Sequence, residues 1–356
     1  MIKRILYTLL IMFPVLASAQ INTDRVMAIG RNALYFEDYV LSIQYFNQVI
    51  NAKPYLSDPY FYRGLAKINL DDFQGAESDC SEAIERNPFV VSAYQVRGLA
   101  RIQQNNFAGA IEDYTKALEF DPENIGVWHN MALCRIRQED YKGAKNDLDK
   151  LIAISPRYTK AYLMRGEVDL KQKDTLAAEK DFGKAIEIDR YDADTWASRA
   201  ILRLQQQRYK DAEADFDHAI RLSTRNSGVY INRALARYHQ NNLRGAMSDY
   251  DIALDIDPNN FIGHYNRGLL RAQVGDDNRA IQDFNFVIEM EPDNMMAIFN
   301  RGLLLDQTGD YKGAIKDYST VINEYPNFLL GYQYRAQARR KIGDVKGCLL
   351  YTSDAA

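Results

Sequence analysis

Residues 91–124 read VSAYQVRGLARIQQNNFAGAIEDYTKALEFDPEN, and residues 261–294 read FIGHYNRGLLRAQVGDDNRAIQDFNFVIEMEPDN. The two stretches have equal length and place glycine, alanine, an arginine, an aspartate and a proline at the same positions. Prolines mark the same 34-residue step elsewhere in the chain, at Pro54, Pro88, Pro122, Pro156, Pro258, Pro292 and Pro326. A fixed period of this length predicts an array of small structural repeats rather than separate globular domains.

The repeats are numbered here so that the proline falls at position 32. They then begin at residues 23, 57, 91, 125, 159, 193, 227, 261 and 295, with a partial tenth from 329, and the array covers 23–347. Apolar residues at positions 4, 5, 8, 9 and 12, and again at 17, 20, 21, 24, 27 and 28, have helical spacing. The proline ends the second helix, since it disfavours helix before and at its own position. Each repeat is therefore predicted to form a helical hairpin that must stack on its neighbours.

Small residues at positions 8 and 20, aromatic residues at position 24 and the proline at position 32 resemble the tetratricopeptide repeat family. This resemblance implies an all-α fold, a right-handed superhelical solenoid of antiparallel helix pairs. It also implies a non-catalytic protein that binds other proteins or peptides.

The chain departs from the family at position 7, where most repeats carry arginine, and at position 23, where eight repeats carry aspartate. The planar guanidinium suits a partly buried carboxylate, so we expect a ladder of Arg–Asp ion pairs between the two helices of each repeat. In the fourth repeat Asp147 faces Met131, and it needs Arg135 or another partner. The alternative is a basic concave surface that binds an acidic ligand.

In the family, positions 2, 5, 9, 12 and 13 of the first helix line the concave groove. The resemblance carries ligand binding over to Phe61, Leu65, Asn69, Gln95, Gln103, His129, Arg137, Lys171, Gln205, His239, Tyr265, Gln273, Phe299 and Gln307. An apolar stripe at position 9 beside a polar row at position 13 suits an extended peptide or a short helix. The alternative is that position 9 packs against the neighbouring repeat and position 13 is merely solvated.

Composition and motifs argue against several other functions. With 44 Lys and Arg against 48 Asp and Glu, the net charge of −4 does not favour a nucleic-acid partner. The four histidines occupy different repeat positions, and no metal, phosphate-loop or nucleophile motif is present. Acidic residues recur once per repeat, whereas a catalytic pair would occur once. The sequence therefore predicts no enzyme activity, no cofactor and no metal site.

Residues 1–19 combine a basic start, an apolar stretch and an Ala-x-Ala ending, the pattern of a secretory signal peptide. We expect cleavage, a periplasmic or secreted bacterial protein, and no stable membrane span afterwards; the alternative is a retained anchor. Residues 348–356, CLLYTSDAA, resemble a translated DNA-library adapter, and we expect the gene to continue beyond Gly347. The alternative is a genuine C-terminus.

The leading functional hypothesis is an exported interaction scaffold with a protein or peptide partner. Its rival is the N-terminal sensory or docking region of a longer protein that carries an enzyme or membrane domain. Glycan capture is a third hypothesis, against which Trp128 and Trp196 count because both fall at position 4, a predicted core position.

Overall fold

The computed structural model describes residues 21–223 and 225–344, and the regular structure of these residues consists of nineteen α-helices without a β-strand. In chain order the helices are α1 (Thr23–Tyr35), α2 (Tyr39–Ala52), α3 (Asp58–Ile68), α4 (Phe73–Arg86), α5 (Val91–Gln103), α6 (Phe107–Phe120), α7 (Ile125–Arg137), α8 (Tyr141–Ile154), α9 (Thr159–Lys171), α10 (Thr175–Ile188), α11 (Ala193–Gln205), α12 (Tyr209–Leu222), α13 (Ser227–His239), α14 (Leu243–Ile256), α15 (Phe261–Gln273), α16 (Asp277–Met290), α17 (Met295–Thr308), α18 (Tyr311–Glu324) and α19 (Leu329–Lys341). Odd-numbered helices are the first helices of the repeats and even-numbered helices the second. The predicted hairpins are confirmed.

A left-handed residue at position 15 reverses the chain between the two helices of each repeat. Three repeats use glycine there, and the others use residues with a side chain at φ near +60°. These residues are Glu37, Asp71, Asn105, Glu139, Lys173, Gln207, Asn241, Gly275, Gly309 and Gly343. In most repeats an Asp or Asn at position 16 then caps the second helix, as Asp140 does by accepting from the Gly143 N–H at 2.9 Å.

The chain divides into two compact units, residues 1–181 and 182–356, which are described separately. In the first unit a continuous core surrounds Tyr114, Leu148 and Leu151, all of which are fully buried. In the second unit successive clusters form around the buried position-24 aromatics, which are Phe216, Tyr250, Phe284 and Tyr318. The small residues at positions 8 and 20 let the helices approach closely enough to cover these rings.

Cys80 and Cys134 are buried free thiols in different repeats of the first unit, as the sequence predicted. Burial raises the pKa of Cys80 to about 12 and that of Cys134 to about 11, which makes both thiols unreactive at neutral pH.

Of the helices in the described residues, none combines the length and the apolar character that crossing a bilayer requires. The sequence patterns of residues 1–19 and 348–356 lie outside the described residues.

Candidate partner-binding face

The arginines at position 7 and the aspartates at position 23 form the predicted ladder. In the third repeat, Arg97 donates from Nε and Nη2 to Asp113, with Nη2 2.6 Å from Oδ1. Equivalent pairs join Arg63 to Asp79, Arg165 to Asp181, Arg199 to Asp215, Arg233 to Asp249, Arg267 to Asp283 and Arg301 to Asp317. The prediction of a basic concave surface is wrong, because these guanidinium groups are turned into the repeat and neutralised there.

A second cation, at position 11, reinforces the ladder in most repeats. Arg101 donates from Nη1 to Asp113 at 3.0 Å and from Nε to Glu77 of the preceding repeat at 2.8 Å. Burial raises the pKa of Asp113 although Arg97 and Arg101 act in the opposite direction. The fifth repeat reverses the charges, since Asp169 at position 11 accepts from Lys145 of the repeat before it.

The ladder is incomplete in the fourth repeat, where position 7 is Met131. Arg135 lies 2.9 Å from Asp147 Oδ1, which confirms the expected substitute partner. The other oxygen, Oδ2, is buried and has no hydrogen-bond partner within the described residues. Burial raises the pKa of Asp147 to about 6, although Arg135 opposes the shift.

Position 25 provides a link between repeats that the sequence analysis missed. Arg97 Nη1 donates to Ser81 Oγ of the preceding repeat at 3.1 Å, and Arg233 Nη1 donates to Asp217 of its preceding repeat at 2.6 Å. One arginine thus ties both helices of its own repeat to the repeat before it. The signal was present as a polar column at position 25.

The odd-numbered helices carry the predicted binding residues on a common face. Within the second unit, Asn300 of α17 donates to Tyr265 Oη of α15 at 3.1 Å, and Lys341 of α19 lies 2.9 Å from Asp306 of α17. First helices of successive repeats are therefore direct neighbours, and residues at equal repeat positions form rows across them. Positions 2, 5, 9 and 13 follow one another at helical spacing and share a side of each helix.

The row at position 13 is exposed in every described repeat. It comprises the predicted residues Asn69, Gln103, Arg137, Lys171, Gln205, His239, Gln273 and Gln307, together with Lys341. These side chains offer amide and cationic groups to a ligand.

The row at position 9 is neither core nor free surface. Leu65 is half-buried, whereas Leu99 and Leu269 are 39% and 40% exposed. Ile201 and Leu303 border the clusters of their own repeats. The interpretation of this row as packing alone is therefore wrong for Leu99 and Leu269.

Position 5 has a partly structural role. Phe61, Gln95, Tyr265 and Phe299 are half-buried, like His129. The Nδ1 atom of His129 lies 3.3 Å from the hydroxyl of Tyr158. Burial, and after it the charge of Lys160, lowers the pKa of His129, so the imidazole is neutral at neutral pH. The tautomer is set by which of the two groups donates.

Position 2 contains binding candidates that the sequence analysis did not select. It holds Asp24 and Asp58 in the first two repeats but Ile262, Met296 and Leu330 in the last three. Met296 is 66% exposed, and Ile262 and Leu330 are about half exposed. The change from acidic to apolar residues along this column was a readable signal.

Comparison with known families decides the classification. Family models described as tetratricopeptide or TPR repeats match residues 98–134, 125–158, 159–192, 198–261 and 265–327, which is more than half of the chain. The chain belongs to the tetratricopeptide repeat family. No curated protein sequence matches it significantly.

Two solved structures share this tetratricopeptide fold over most of the chain. A tetratricopeptide repeat protein from Parabacteroides merdae ATCC 43184 has a TM-score of 0.54 and 21% identity, covering 70% of this chain and 98% of that one. Pseudomonas aeruginosa pilF has a TM-score of 0.51 and 19% identity, covering 61% of this chain and 97% of its own. At these identities the similarity concerns the fold alone.

The histidines of this tetratricopeptide protein stack on separate aromatic rings. His129 packs on Tyr158, His218 on Trp196, His239 on Tyr209 and His264 on Phe286. Within the described residues, no three His, Cys, Asp or Glu side chains come together in a group that could hold a metal ion. Trp128 is buried as expected, but the core prediction is wrong for Trp196, which is half-buried.

Proposed function

We propose that the chain is a non-catalytic scaffold that binds an extended peptide or a short helix of a partner protein. The binding surface is the face formed by positions 2, 5, 9 and 13 of the odd-numbered helices. The tetratricopeptide family supports a scaffold role, since its repeats generally bind proteins and do not catalyse reactions.

The exposed apolar side chains of the second unit carry this proposal. Ile262, Leu269 and Met296 lie on the candidate face and project into solvent, although the even-numbered helices already supply the core. Exposed apolar groups that recur on one face, rather than singly, mark an interaction surface. The exposed amides of Gln273 and Gln307 run beside them and suit the main-chain groups of a bound peptide.

The ladder of ion pairs supports preorganisation of this face. Arg233 bonds Asp249 within its own repeat and Asp217 of the preceding repeat, so the hairpins are held before a ligand arrives. A rigid scaffold spends little binding free energy on its own ordering, and the loss of conformational entropy falls on the partner.

A peptide selection with cross-link mapping tests the proposal. Peptides are selected from a random display library on the purified chain, and a photo-reactive residue is then placed within a selected peptide. Mass spectrometry should locate the cross-links at positions 2, 5, 9 and 13 of the odd-numbered helices. Cross-links confined to the even-numbered helices would contradict the proposed face.

We also propose that the protein acts outside the cytoplasm of a bacterium. The signal-peptide pattern of residues 1–19 supports this location. Expression as a fusion to a reporter active only after export should give reporter activity and a mature N-terminus at Gln20. A cytoplasmic product that retains Met1 would contradict this proposal.

A further inference from the structure

Arg199 differs from every other arginine at position 7. In the seven other repeats with arginine there, Nη1 donates to a side chain at position 25 of the preceding repeat. The acceptors are Asn47, Ser81, Asp149, Asp217, Asp251, Asn285 and Ser319. For Arg199 the corresponding residue is Gly183, which has no side chain to accept the bond.

The position of Arg199 is fixed although this acceptor is missing. Nε and Nη2 donate to the two oxygens of Asp215 at 2.8 and 2.9 Å, so the guanidinium plane is held as in the other repeats. Nη1 has no acceptor among the described residues. A Cβ atom built on Gly183 would lie 3.9 Å from Nη1, with no other heavy atom as near, so the place of the missing acceptor is open.

The open place belongs to a cavity of about 630 Å³ in the second unit. Arg190 and Arg221 line it together with Arg199, and neither Arg190 nor Arg221 forms an ion pair within the described residues. The carboxylate of Glu187 also lies on the wall, but Lys184 pairs with it at 2.9 Å. The cavity therefore has an excess of positive charge.

Aromatic rings form another part of the cavity wall. Trp196 stacks on His218 with ring centroids 4.2 Å apart, and Arg199 lies over the Trp196 ring at 5.1 Å. Tyr191 is 77% exposed beside them. These rings can cover the apolar part of a ligand whose charged group reaches the arginines.

We propose that this cavity binds the carboxylate of an aspartate or glutamate side chain presented by a partner polypeptide. The other repeats show which group fits, because Asp149, Asp217 and Asp251 occupy the equivalent place in three of them. Arginine donors bind carboxylates strongly and with defined geometry. None of the lining residues belongs to positions 2, 5, 9 or 13, so this site is separate from the proposed face and does not depend on it.

Tryptophan fluorescence provides a direct assay. Trp128→Tyr leaves Trp196 as the one tryptophan, and tyrosine is the residue that Tyr162 supplies at position 4 of the next repeat, with an equivalent bond to a proline carbonyl. In this background, a blocked peptide Gly-Glu-Leu-Glu-Gly should change the Trp196 emission saturably. The matched peptide with glutamine in place of glutamate should bind at least tenfold more weakly.

Gly183→Asp tests the assignment within the chain itself. The introduced carboxylate would accept from Arg199 Nη1, as Asp217 accepts from Arg233, and it should weaken the acidic peptide at least tenfold. Thermal unfolding at or above the temperature of the unsubstituted chain would show that the variant is folded. Gly183→Ala, which adds no acceptor, should retain binding.

Three results would overturn the proposal. The first is equal affinity for the glutamate and glutamine peptides. The second is unchanged affinity in Gly183→Asp. The third is an emission change with inorganic phosphate at concentrations no higher than those of the acidic peptide, which would indicate a site for small phosphate ions instead.

Discussion

Asp147 accepts a hydrogen bond from Arg135 at 2.9 Å through one carboxylate oxygen, while the other oxygen is buried beside Met131 without a partner in the described part of the chain. In seven other repeats an arginine at position 7 contacts the equivalent aspartate. The fourth repeat is thus a natural deletion of one member of the ladder, and it reveals what that member contributes.

Met131→Arg should stabilise the fourth repeat. The new guanidinium would reach Asp147 Oδ2, and its Nη1 would meet the hydroxyl of Thr115, which now lies 4.0 Å from the Met131 sulfur. A hydrogen bond between charged groups contributes about 1.5–3 kcal/mol, of which the lost methionine packing removes a part. Slower hydrogen exchange in α7 and α8 and a higher urea midpoint are expected. Met131→Gln, of similar length but uncharged, serves as the control, and a lower midpoint for the arginine variant would contradict the argument.

The stability of the fourth repeat should depend on the protonation of Asp147. Its folded pKa of about 6 exceeds the ordinary value of 3.8, so the folded state binds the proton more tightly than the unfolded chain does. The contribution of Asp147 to the free energy of unfolding is therefore largest below pH 4 and falls as the pH rises through 6. With about 1.4 kcal/mol per pKa unit, the decrease is on the order of 2–3 kcal/mol.

Asp147→Asn isolates this dependence from that of the other carboxylates. The difference in unfolding free energy, wild type minus variant, should become more negative between pH 4.5 and pH 7.5. Urea unfolding of both proteins across this range measures it. A difference that stays constant with pH would show that Asp147 ionises normally in the folded protein.

Arg97→Met should reproduce the defect of the fourth repeat in the third. Asp113 would keep Arg101 but lose the paired contact, and leaving a buried carboxylate short of its partner costs about 3 kcal/mol. The double variant Arg97→Met with Asp113→Leu should recover much of the loss, because no buried charge is left. Lys116→Ala, which removes the exposed contact with Glu119, should leave the urea midpoint unchanged. Equal effects of Arg97→Met and Lys116→Ala would refute a special role for the ladder.

Lys173→Gly should stabilise the turn between α9 and α10. Lys173 is exposed and adopts φ of +64°, a conformation that costs a residue with a side chain about 1 kcal/mol relative to glycine. Gly275→Ala, at φ of +81°, is the reciprocal change and should destabilise its turn by a similar amount. Both effects appear as shifts of the thermal unfolding temperature, and shifts of the same sign would be inconsistent with this explanation.

The sequence predicted the features that the 34-residue period repeats within one hairpin. Helix positions, the buried aromatic at position 24 and the pairing of Arg97 with Asp113 all follow from residues on two adjacent antiparallel helices. Even the substitute partner Arg135 could be named, because it lies one helical turn from Met131 on the same side of α7.

Features that depend on how one repeat meets the next were not predicted. The bond from Arg97 to Ser81 and the open place beside Gly183 depend on the distance between hairpins, which periodicity does not provide. The left-handed residue at position 15 was also missed, since only three repeats use glycine there. For the candidate face, the sequence predicted the exposed row at position 13 but not the apolar residues at position 2.

The affinity of a selected peptide for Met296→Glu, compared with Met290→Glu, tests the central claim most directly. Both methionines are more than half exposed in the second unit, but Met296 lies on the proposed face and Met290 ends α16. Titration calorimetry should show at least a tenfold weaker affinity for Met296→Glu and an unchanged affinity for Met290→Glu. Equal affinities for the two variants, or a loss confined to Met290→Glu, would contradict the assignment of peptide binding to the face of the odd-numbered helices.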